Sequence, residues 1–142
     1  MIIISPKTPE DFEKYFDLRW RILRKPWNQP VGSERDNDEN NSFHLMATEN
    51  NMALGVVRSQ FINNTTVQLR YMAVDQPAQG RGIGRLLIEA MEKHARNNGA
   101  DSIMLQAREN AVGFYEKTGF KVKEKSYLLF DCIQHYKMTK TI

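Results

Sequence analysis

The stretch that most constrains the fold is residues 79–84, where three glycines fall within five positions. A strand-like run, 67–75, precedes it, and a segment with apolar residues at helical spacing, 83–96, follows it. Because glycine accepts backbone conformations that other residues avoid, this order predicts a tight strand-to-helix turn. The first N–H groups of a helix are free, so such a turn can also bind an anion, with Arg81 and Arg85 adding positive charge.

The spacing of the glycines excludes two common phosphate motifs. No Gly-Lys-Ser/Thr follows them, which excludes a P-loop, and they do not fit the G-x-G-x-x-G of dinucleotide-binding folds. The stretch does match the pattern Q/R-x-x-G-x-G/A, filled by Gln79, Gly82 and Gly84.

Composition narrows the class of protein. At 142 residues, 41% of them hydrophobic, the chain predicts a single domain, 1–142, with a substantial core. No apolar run approaches the ~20 residues of a membrane span, and the first residues do not resemble a signal peptide. A single cysteine, Cys132, excludes an internal disulfide and suits a reducing cytoplasm. The net charge of +3 is compatible with an anionic cofactor.

Periodicity and capping signals predict strands and helices in the order βα, βββ, α, β, α, ββ. This order predicts an α/β (α+β) fold, with a mixed, mostly antiparallel sheet flanked by helices and a β-α-β crossover through the glycine stretch. Local expectations are a helix capped by Thr8, a bulge at Gly55 and a tight turn at Asn63-Asn64 through positive φ. They also include a short helix capped by Asn110, and a buried face of helix 83–96 that contains Leu86.

The segment 28–42 is polar and acidic, with four carboxylates against Arg35. One interpretation is a solvated loop. The other is a lid on the acceptor side that attracts a cationic amine.

A second motif, 110–120, matches N-x-x-x-x-F/Y-Y-x-x-x-G-F, with Tyr115 as its tyrosine. Together with the glycine stretch, it resembles the GNAT acyl-CoA N-acyltransferase superfamily over roughly residues 8–140. The tail, 130–138, is similar to a D-G-I-P-H-x-x-M ending of ElaA-type proteins. Cys132 and Gln134 stand where that subgroup has Gly and Pro.

The resemblance implies an acetyl-CoA-dependent N-acetyltransferase without a metal. Its acceptor would be a primary amine of a small molecule or a protein, cationic if the acidic loop faces it. By resemblance, the backbone of Met72, Ala73 and Val74 pairs with the pantetheine arm, and Asn110 touches the cofactor. The pyrophosphate would be held by the loop residues Gln79, Gly80, Arg81, Gly82, Ile83, Gly84 and Arg85. Tyr115 would be the general acid. The alternative is that Phe114 and Tyr115 are only an aromatic pair that packs between helix and sheet.

The general base is left open. Many relatives use a glutamate on the central strand, but this strand has no carboxylate before Asp75. Histidine titrates in the useful range, so His135 is the first choice and His44 another. A carboxylate of the acidic loop or a water are the remaining alternatives. The spacing of the three histidines fits no metal site.

Two other functions compete with catalysis. The missing strand carboxylate favours a catalytically weak acyl-CoA-binding sensor or interaction module. A nucleic-acid-binding protein is disfavoured, because no aromatic stacking motif is present and the acidic loop repels phosphate. Exposed strand edges near the C-terminus suggest a homodimer.

Overall fold

The computed structural model describes all 142 residues. Its strands are β1 (Ile2–Ile4), β2 (Phe43–Glu49), β3 (Met52–Phe61), β4 (Thr66–Val74), β5 (Ser102–Arg108), β6 (Lys121–Leu129) and β7 (Ile133–Thr141). Its helices are α1 (Pro9–Leu23), α2 (Ile83–Asn97) and α3 (Val112–Lys117). One seven-stranded sheet has the order β1-β2-β3-β4-β5-β7-β6, in which β4 and β5 are parallel. The predicted mixed, mostly antiparallel sheet with its β-α-β crossover is confirmed.

The chain divides into two compact units. The first unit contains residues 1–60 and 71–91, and the second contains 61–70 and 92–142. Strand β4 gives its first residues to the second unit and its last residues to the first. None of the helices is both long and apolar enough to cross a lipid bilayer.

In the first unit, α1 begins as the sequence predicts. The Thr8 hydroxyl accepts a hydrogen bond from the Asp11 N–H (3.1 Å), and the Asp11 carboxylate accepts one from the Thr8 N–H (3.3 Å). This reciprocal capping box satisfies N–H groups that the first turn leaves free. The helix then buries Tyr15, Phe16 and Leu18 in a cluster that also contains Met46, Val56 and Ala73.

Gly55 lets α2 approach the sheet closely. The β2–β3 register shifts from Ala47↔Gly55 to Thr48↔Ala53, which confirms a bulge beside Gly55. A Cβ atom at Gly55 would lie 2.9 Å from Ile83 Cγ2 and 3.0 Å from Leu87 Cδ1, closer than packed carbon atoms allow. At this position α2 therefore packs on bare backbone.

The buried face of α2 differs from the predicted one. Leu87, Ile88 and Met91 are buried, whereas Leu86 is 39% exposed. The apolar residues at 86, 87 and 88 are consecutive, so spacing alone could not decide which of them faces outward.

In the second unit, β4 pairs with β5 from Thr66↔Ser102 to Leu69↔Leu105, and β7 lies between β5 and β6. Helix α3 stops before Gly119, which has a φ of 102°. The prediction that Asn110 caps this helix is wrong. Asn110 lies inside the 3₁₀ turn Glu109–Ala111, and the residue at the cap position is Ala111, which has no side-chain acceptor.

The predicted mechanism of the Asn63-Asn64 turn is also wrong. Neither residue has a positive φ. The Asn63 side-chain oxygen instead accepts the N–H groups of Thr65 and Thr66, both at 2.9 Å, which closes the turn by a side-chain mimic of the backbone. Positive φ occurs in the preceding turn, at Asn50 (52°) and Asn51 (64°).

Candidate functional site

The glycine loop of the first unit has an open backbone geometry. After β4, a 3₁₀ turn, Gln76–Ala78, leads into Gly80 and Gly82, whose φ values are 84° and 80°. A Cβ atom at either glycine would meet nothing within 4 Å, so these glycines are needed for their backbone conformation rather than for lack of space. Helix α2 begins at Ile83, which places its free N–H groups at the loop.

Two side chains hold this loop to the end of β4. The Gln79 amide donates to the Val74 carbonyl (3.2 Å), so this side chain makes a hydrogen bond within the chain. Asp75 accepts the Gln76 N–H (2.9 Å) and is itself bound by both terminal nitrogens of Arg21 on α1, at 3.2 and 3.4 Å. The end of the strand is therefore fixed before the loop begins.

The cationic residues of the loop are accessible. The Arg81 side chain is 47% exposed and donates to Glu49 at 2.7 Å. The hydrogen bond from Arg81 lowers the pKa of Glu49. Arg85 is exposed in the first turn of α2, whereas the Ile83 side chain is buried, which leaves only the backbone of Ile83 available to a ligand. Sequence reasoning missed Glu49, which no local pattern connects to the loop.

Strand β4 contains an irregular residue immediately before its last three positions. Tyr71 has a φ of 55°, a left-handed conformation that is uncommon for an aromatic residue and rare within a strand. Its hydroxyl donates to Asp36 (3.3 Å). Met72 and Val74 are half-buried, and Ala73 is buried in the core.

Two fully buried arginines lie beside Tyr71. Arg58 donates to both carboxylate oxygens of Asp36 (2.7 and 3.1 Å) and to Glu39 (2.8 Å). Arg19 donates to the same Glu39 carboxylate at 3.0 and 2.9 Å. Burying a charge is costly unless it is paired, and these four groups compensate one another.

This charged cluster corrects the picture of segment 28–42 as a solvated loop. Glu34 is 1% exposed and bonds the Gly32 N–H and Arg35, while Asp36 and Glu39 bond Arg58 and Arg19. Three of the four carboxylates that the sequence offers to an approaching amine are thus already paired with arginines inside the first unit.

His44 lies in the same cluster with both ring nitrogens engaged. Its Nε2 lies 2.7 Å from the Glu39 carbonyl, which can only accept, so Nε2 carries a proton. Its Nδ1 lies 2.8 Å from the Tyr15 hydroxyl, to which Arg19 also donates (3.0 Å). Burial lowers the pKa of His44 and raises the pKa of Tyr15 to about 12. A histidine so engaged has no free nitrogen to accept a proton from substrate.

Tyr115 lies in the second unit, near the middle of α3. It is 8% exposed, and its ring makes edge-to-face contacts with Phe114 (5.1 Å) and Phe120 (5.8 Å). Desolvation raises the pKa of its phenol, with Arg108 opposing the shift. The group therefore keeps its proton at neutral pH, as a general acid must.

The other two histidines differ in their surroundings. His135, on β7, is 4% exposed, stacks on Tyr127 (4.4 Å) and places Nδ1 3.0 Å from the Ile133 carbonyl. Because a carbonyl can only accept, that contact places a proton on Nδ1 of His135. Partial burial lowers the pKa of His94, which lies near the end of α2.

The structure thus groups the predicted residues in two sets. The first unit holds the proposed pantetheine and pyrophosphate residues on β4, the glycine loop and the start of α2. The second unit holds Asn110, Tyr115 and His135. No group of three or more potential metal ligands occurs.

Known proteins resemble this chain in sequence and in fold. The sequence model of one protein family, the acetyltransferase (GNAT) domain, matches residues 25–142. The uncharacterized N-acetyltransferase YjcF of Bacillus subtilis (strain 168) is 29% identical over 140 residues, covering 99% of both chains.

Two solved structures share the fold. An aminoglycoside 6'-N-acetyltransferase complexed with coenzyme A superposes with a TM-score of 0.84 at 18% identity, covering 99% of this chain and 97% of that one. Escherichia coli ElaA superposes with a TM-score of 0.84 at 16% identity, covering 98% of each chain.

Proposed function

Because the chain belongs to the GNAT acetyltransferase family, we propose that it transfers an acetyl group from acetyl-CoA to a primary amine of a small molecule or protein. In a direct transfer, the amine nitrogen bonds to the thioester carbonyl carbon and the carbon–sulfur bond breaks. The amine loses a proton to a base, and the leaving thiolate gains one from an acid. The products are the N-acetyl amine and free CoA.

The observation that carries the proposal is the glycine loop at the start of α2. Two positive-φ glycines, exposed Arg81 and Arg85, and the free N–H groups of a helix make a site for a diphosphate. Met72, Ala73 and Val74 precede this loop on β4 and would pair with the pantetheine arm. Asn110 is proposed as a further cofactor contact.

Tyr115 is the proposed general acid. Its raised pKa keeps the phenol protonated, and its rigid aromatic surroundings would hold the hydroxyl in one direction. A backbone N–H near Val74 would stabilise the oxyanion.

His135 is the proposed general base. Its Nδ1 contact with the Ile133 carbonyl and its stacking on Tyr127 fix the ring and the tautomer. His44 is a poorer candidate, since both of its ring nitrogens are engaged. Asp36 and Glu39 are poor candidates because buried arginines bind them.

The same engagement bears on the acceptor. Three of the four carboxylates in segment 28–42 pair with arginines, so a cationic acceptor would gain little attraction from them. We therefore assign the acceptor only as a primary amine. A soluble cytoplasmic setting and a homodimer through the exposed outer strand β6 remain part of the proposal.

Calorimetric titration with acetyl-CoA tests the cofactor site. We expect wild type and Tyr115→Phe to bind, and Gly82→Asp to lose binding, because a carboxylate there repels diphosphate and strains a backbone at φ 80°. Gly99→Asp is the matched control: its φ is 93°, a Cβ there meets nothing within 4 Å, and it lies at the other end of α2. Folded wild type that does not bind would refute the proposal.

A thiol-release assay with a panel of amines then tests the chemistry. Loss of a general acid commonly costs about 10²–10⁴-fold in rate, so Tyr115→Phe should be slow with every amine that wild type accepts. Equal rates in the two proteins would remove Tyr115 from the mechanism.

The alternative is a catalytically weak acyl-CoA-binding sensor or interaction module. It is favoured by one observation, the absence of Asp and Glu from β4. Tight binding of acetyl-CoA without thiol release from any amine would support this alternative.

A further inference from the structure

Tyr71 occupies a costly backbone conformation. For residues other than glycine, left-handed φ values occur mainly at Asn and Asp, and they are unusual for a bulky aromatic residue. Valine or another β-branched residue at this position would favour the extended strand instead. Something in the fold must therefore compensate for the φ of 55° at Tyr71.

The contacts of the Tyr71 side chain supply that compensation. Three guanidinium groups lie near its ring centroid: Arg19 at 4.3 Å, Arg58 at 5.1 Å and Arg24 at 5.7 Å. Its hydroxyl donates to Asp36, which Arg58 binds through two nitrogens. Cations over an aromatic face attract it, most strongly where water is excluded.

Each partner of the ring is itself fixed. Arg58 is fully buried and also bonds Glu39 and Gln60, and Arg19 is fully buried between Glu39, Tyr15 and the Glu34 carbonyl. The Nε atoms of both arginines have no hydrogen-bond partner, consistent with guanidinium groups placed against rings rather than against acceptors. The cluster therefore holds the ring in one place.

The other end of the same segment is fixed independently. Four residues after Tyr71, Asp75 is bound by Arg21 of α1. Residues 72–74, the proposed partners of the pantetheine arm, thus lie between two anchors that both depend on arginines of α1.

We propose that Tyr71 is a positioning residue for acyl-CoA, and that its ring, held by Arg19, Arg58 and Asp36, keeps the backbone of residues 72–74 on the path that receives the pantetheine arm. The inference rests on the proposed function. It assigns to the acidic segment 28–42 a role inside the protein, as part of the support for β4.

Three substitutions separate the ring from the backbone conformation. Tyr71→Phe keeps the ring and loses only the bond to Asp36. Tyr71→Asn removes the ring but tolerates left-handed φ. Tyr71→Val also removes the ring and favours an extended backbone, which suits a strand, so this variant should still fold. Phe61→Ala is the control for losing an aromatic ring, since Phe61 is 41% exposed at the end of β3.

We expect the Kd for acetyl-CoA, measured by calorimetry, to rise about tenfold or more in Tyr71→Val, equivalent to roughly 1.4 kcal/mol. The Kd of Tyr71→Phe and of Phe61→Ala should stay within about threefold of the wild-type value. The Kd of Tyr71→Asn should lie between those of wild type and Tyr71→Val, because Asn tolerates left-handed φ. Circular dichroism and thermal melting establish that each variant is folded.

Tyr71→Val binding within threefold of wild type would overturn the inference and leave the proposed function intact. Tyr71→Asn binding as tightly as wild type would also overturn it, because the ring and its contacts would then not be needed. Failure of folded wild type to bind would overturn the proposed function, and this inference with it.

Discussion

At the scale of single residues, the first unit depends on protonation states that burial sets. His44 donates from Nε2 to a carbonyl and faces the Tyr15 hydroxyl with Nδ1, beside the cations Arg19 and Arg58. A second proton on this ring would have to be accommodated next to two buried positive charges. The neutral ring is therefore the form that the fold requires.

This requirement predicts how stability depends on pH. The folded pKa of His44 is lowered from its ordinary value of 6.5, so below pH 6.5 the unfolded chain binds more protons than the folded one. Stability from His44 is complete above pH 6.5 and declines as the pH falls toward the folded pKa. We expect the Tm of wild type to fall between pH 7.5 and 5.5.

His44→Gln keeps a donor for the Glu39 carbonyl but cannot titrate, so its Tm should be lower at pH 7.5 and should fall less on acidification. His94→Gln is the comparison variant: burial lowers the pKa of His94 too, but His94 is only half-buried, so this change should flatten the slope less than His44→Gln does. Differential scanning calorimetry at the two pH values measures both slopes. Parallel slopes for wild type and His44→Gln would contradict this account.

At the scale of elements, α2 approaches β3 closely in the first unit. The contact depends on Gly55, because a methyl group there would press on Ile83 and Leu87. Ile83 is also the first residue of α2, so displacing it would disturb the end of the helix that follows the glycine loop.

We expect Gly55→Ala to destabilise the protein by about 1–3 kcal/mol, the usual cost of overpacking, and to weaken acetyl-CoA binding. Gly113→Ala is the matched control, since it lies in α3, meets nothing within 4 Å and gains helix propensity. Its stability should stay equal or rise by up to roughly 1 kcal/mol. Urea denaturation measures the free energy of unfolding of both variants. If Gly55→Ala were as stable as wild type, α2 would have to be able to move away from β3.

Most elements could be predicted because each has a local signal. The Thr8 cap and the apolar face of α1 are local signals of one helix, and Gly119 is a local signal of the end of α3. The errors at Asn110 and Asn63 are also local. An asparagine can cap a helix, adopt a positive φ, or hydrogen-bond the backbone of its own turn, and the local sequence does not decide among these roles.

The charged cluster could not be predicted, because it joins residues that lie far apart in the chain. Arg19, Glu39, Arg58 and Tyr71 belong to a helix, a loop and two strands. Two signals were available: Arg19 falls on the apolar face of α1, and Arg58 interrupts a buried run of β3. A buried arginine requires a partner, but only the fold identifies it.

At the scale of the whole molecule, ligand binding should appear as thermal stabilisation. A ligand at a hundredfold excess over its Kd adds about 2.7 kcal/mol if it binds only the folded chain. For a chain of this size, we expect acetyl-CoA to raise the Tm by roughly 5–10 °C. Gly82→Asp should show no such shift, and Gly99→Asp should match wild type. Equal shifts in Gly82→Asp and wild type would place the ligand away from the glycine loop.

The turn between β6 and β7 contains the chain's single cysteine, Cys132, which is exposed beside the positive-φ residues Phe130 and Asp131. One accessible thiol means that a maleimide dye attaches at one known position without any engineered substitution. His135, three residues along the same hairpin, is the proposed base. The native protein therefore carries its own attachment point for a fluorophore three residues from the proposed base.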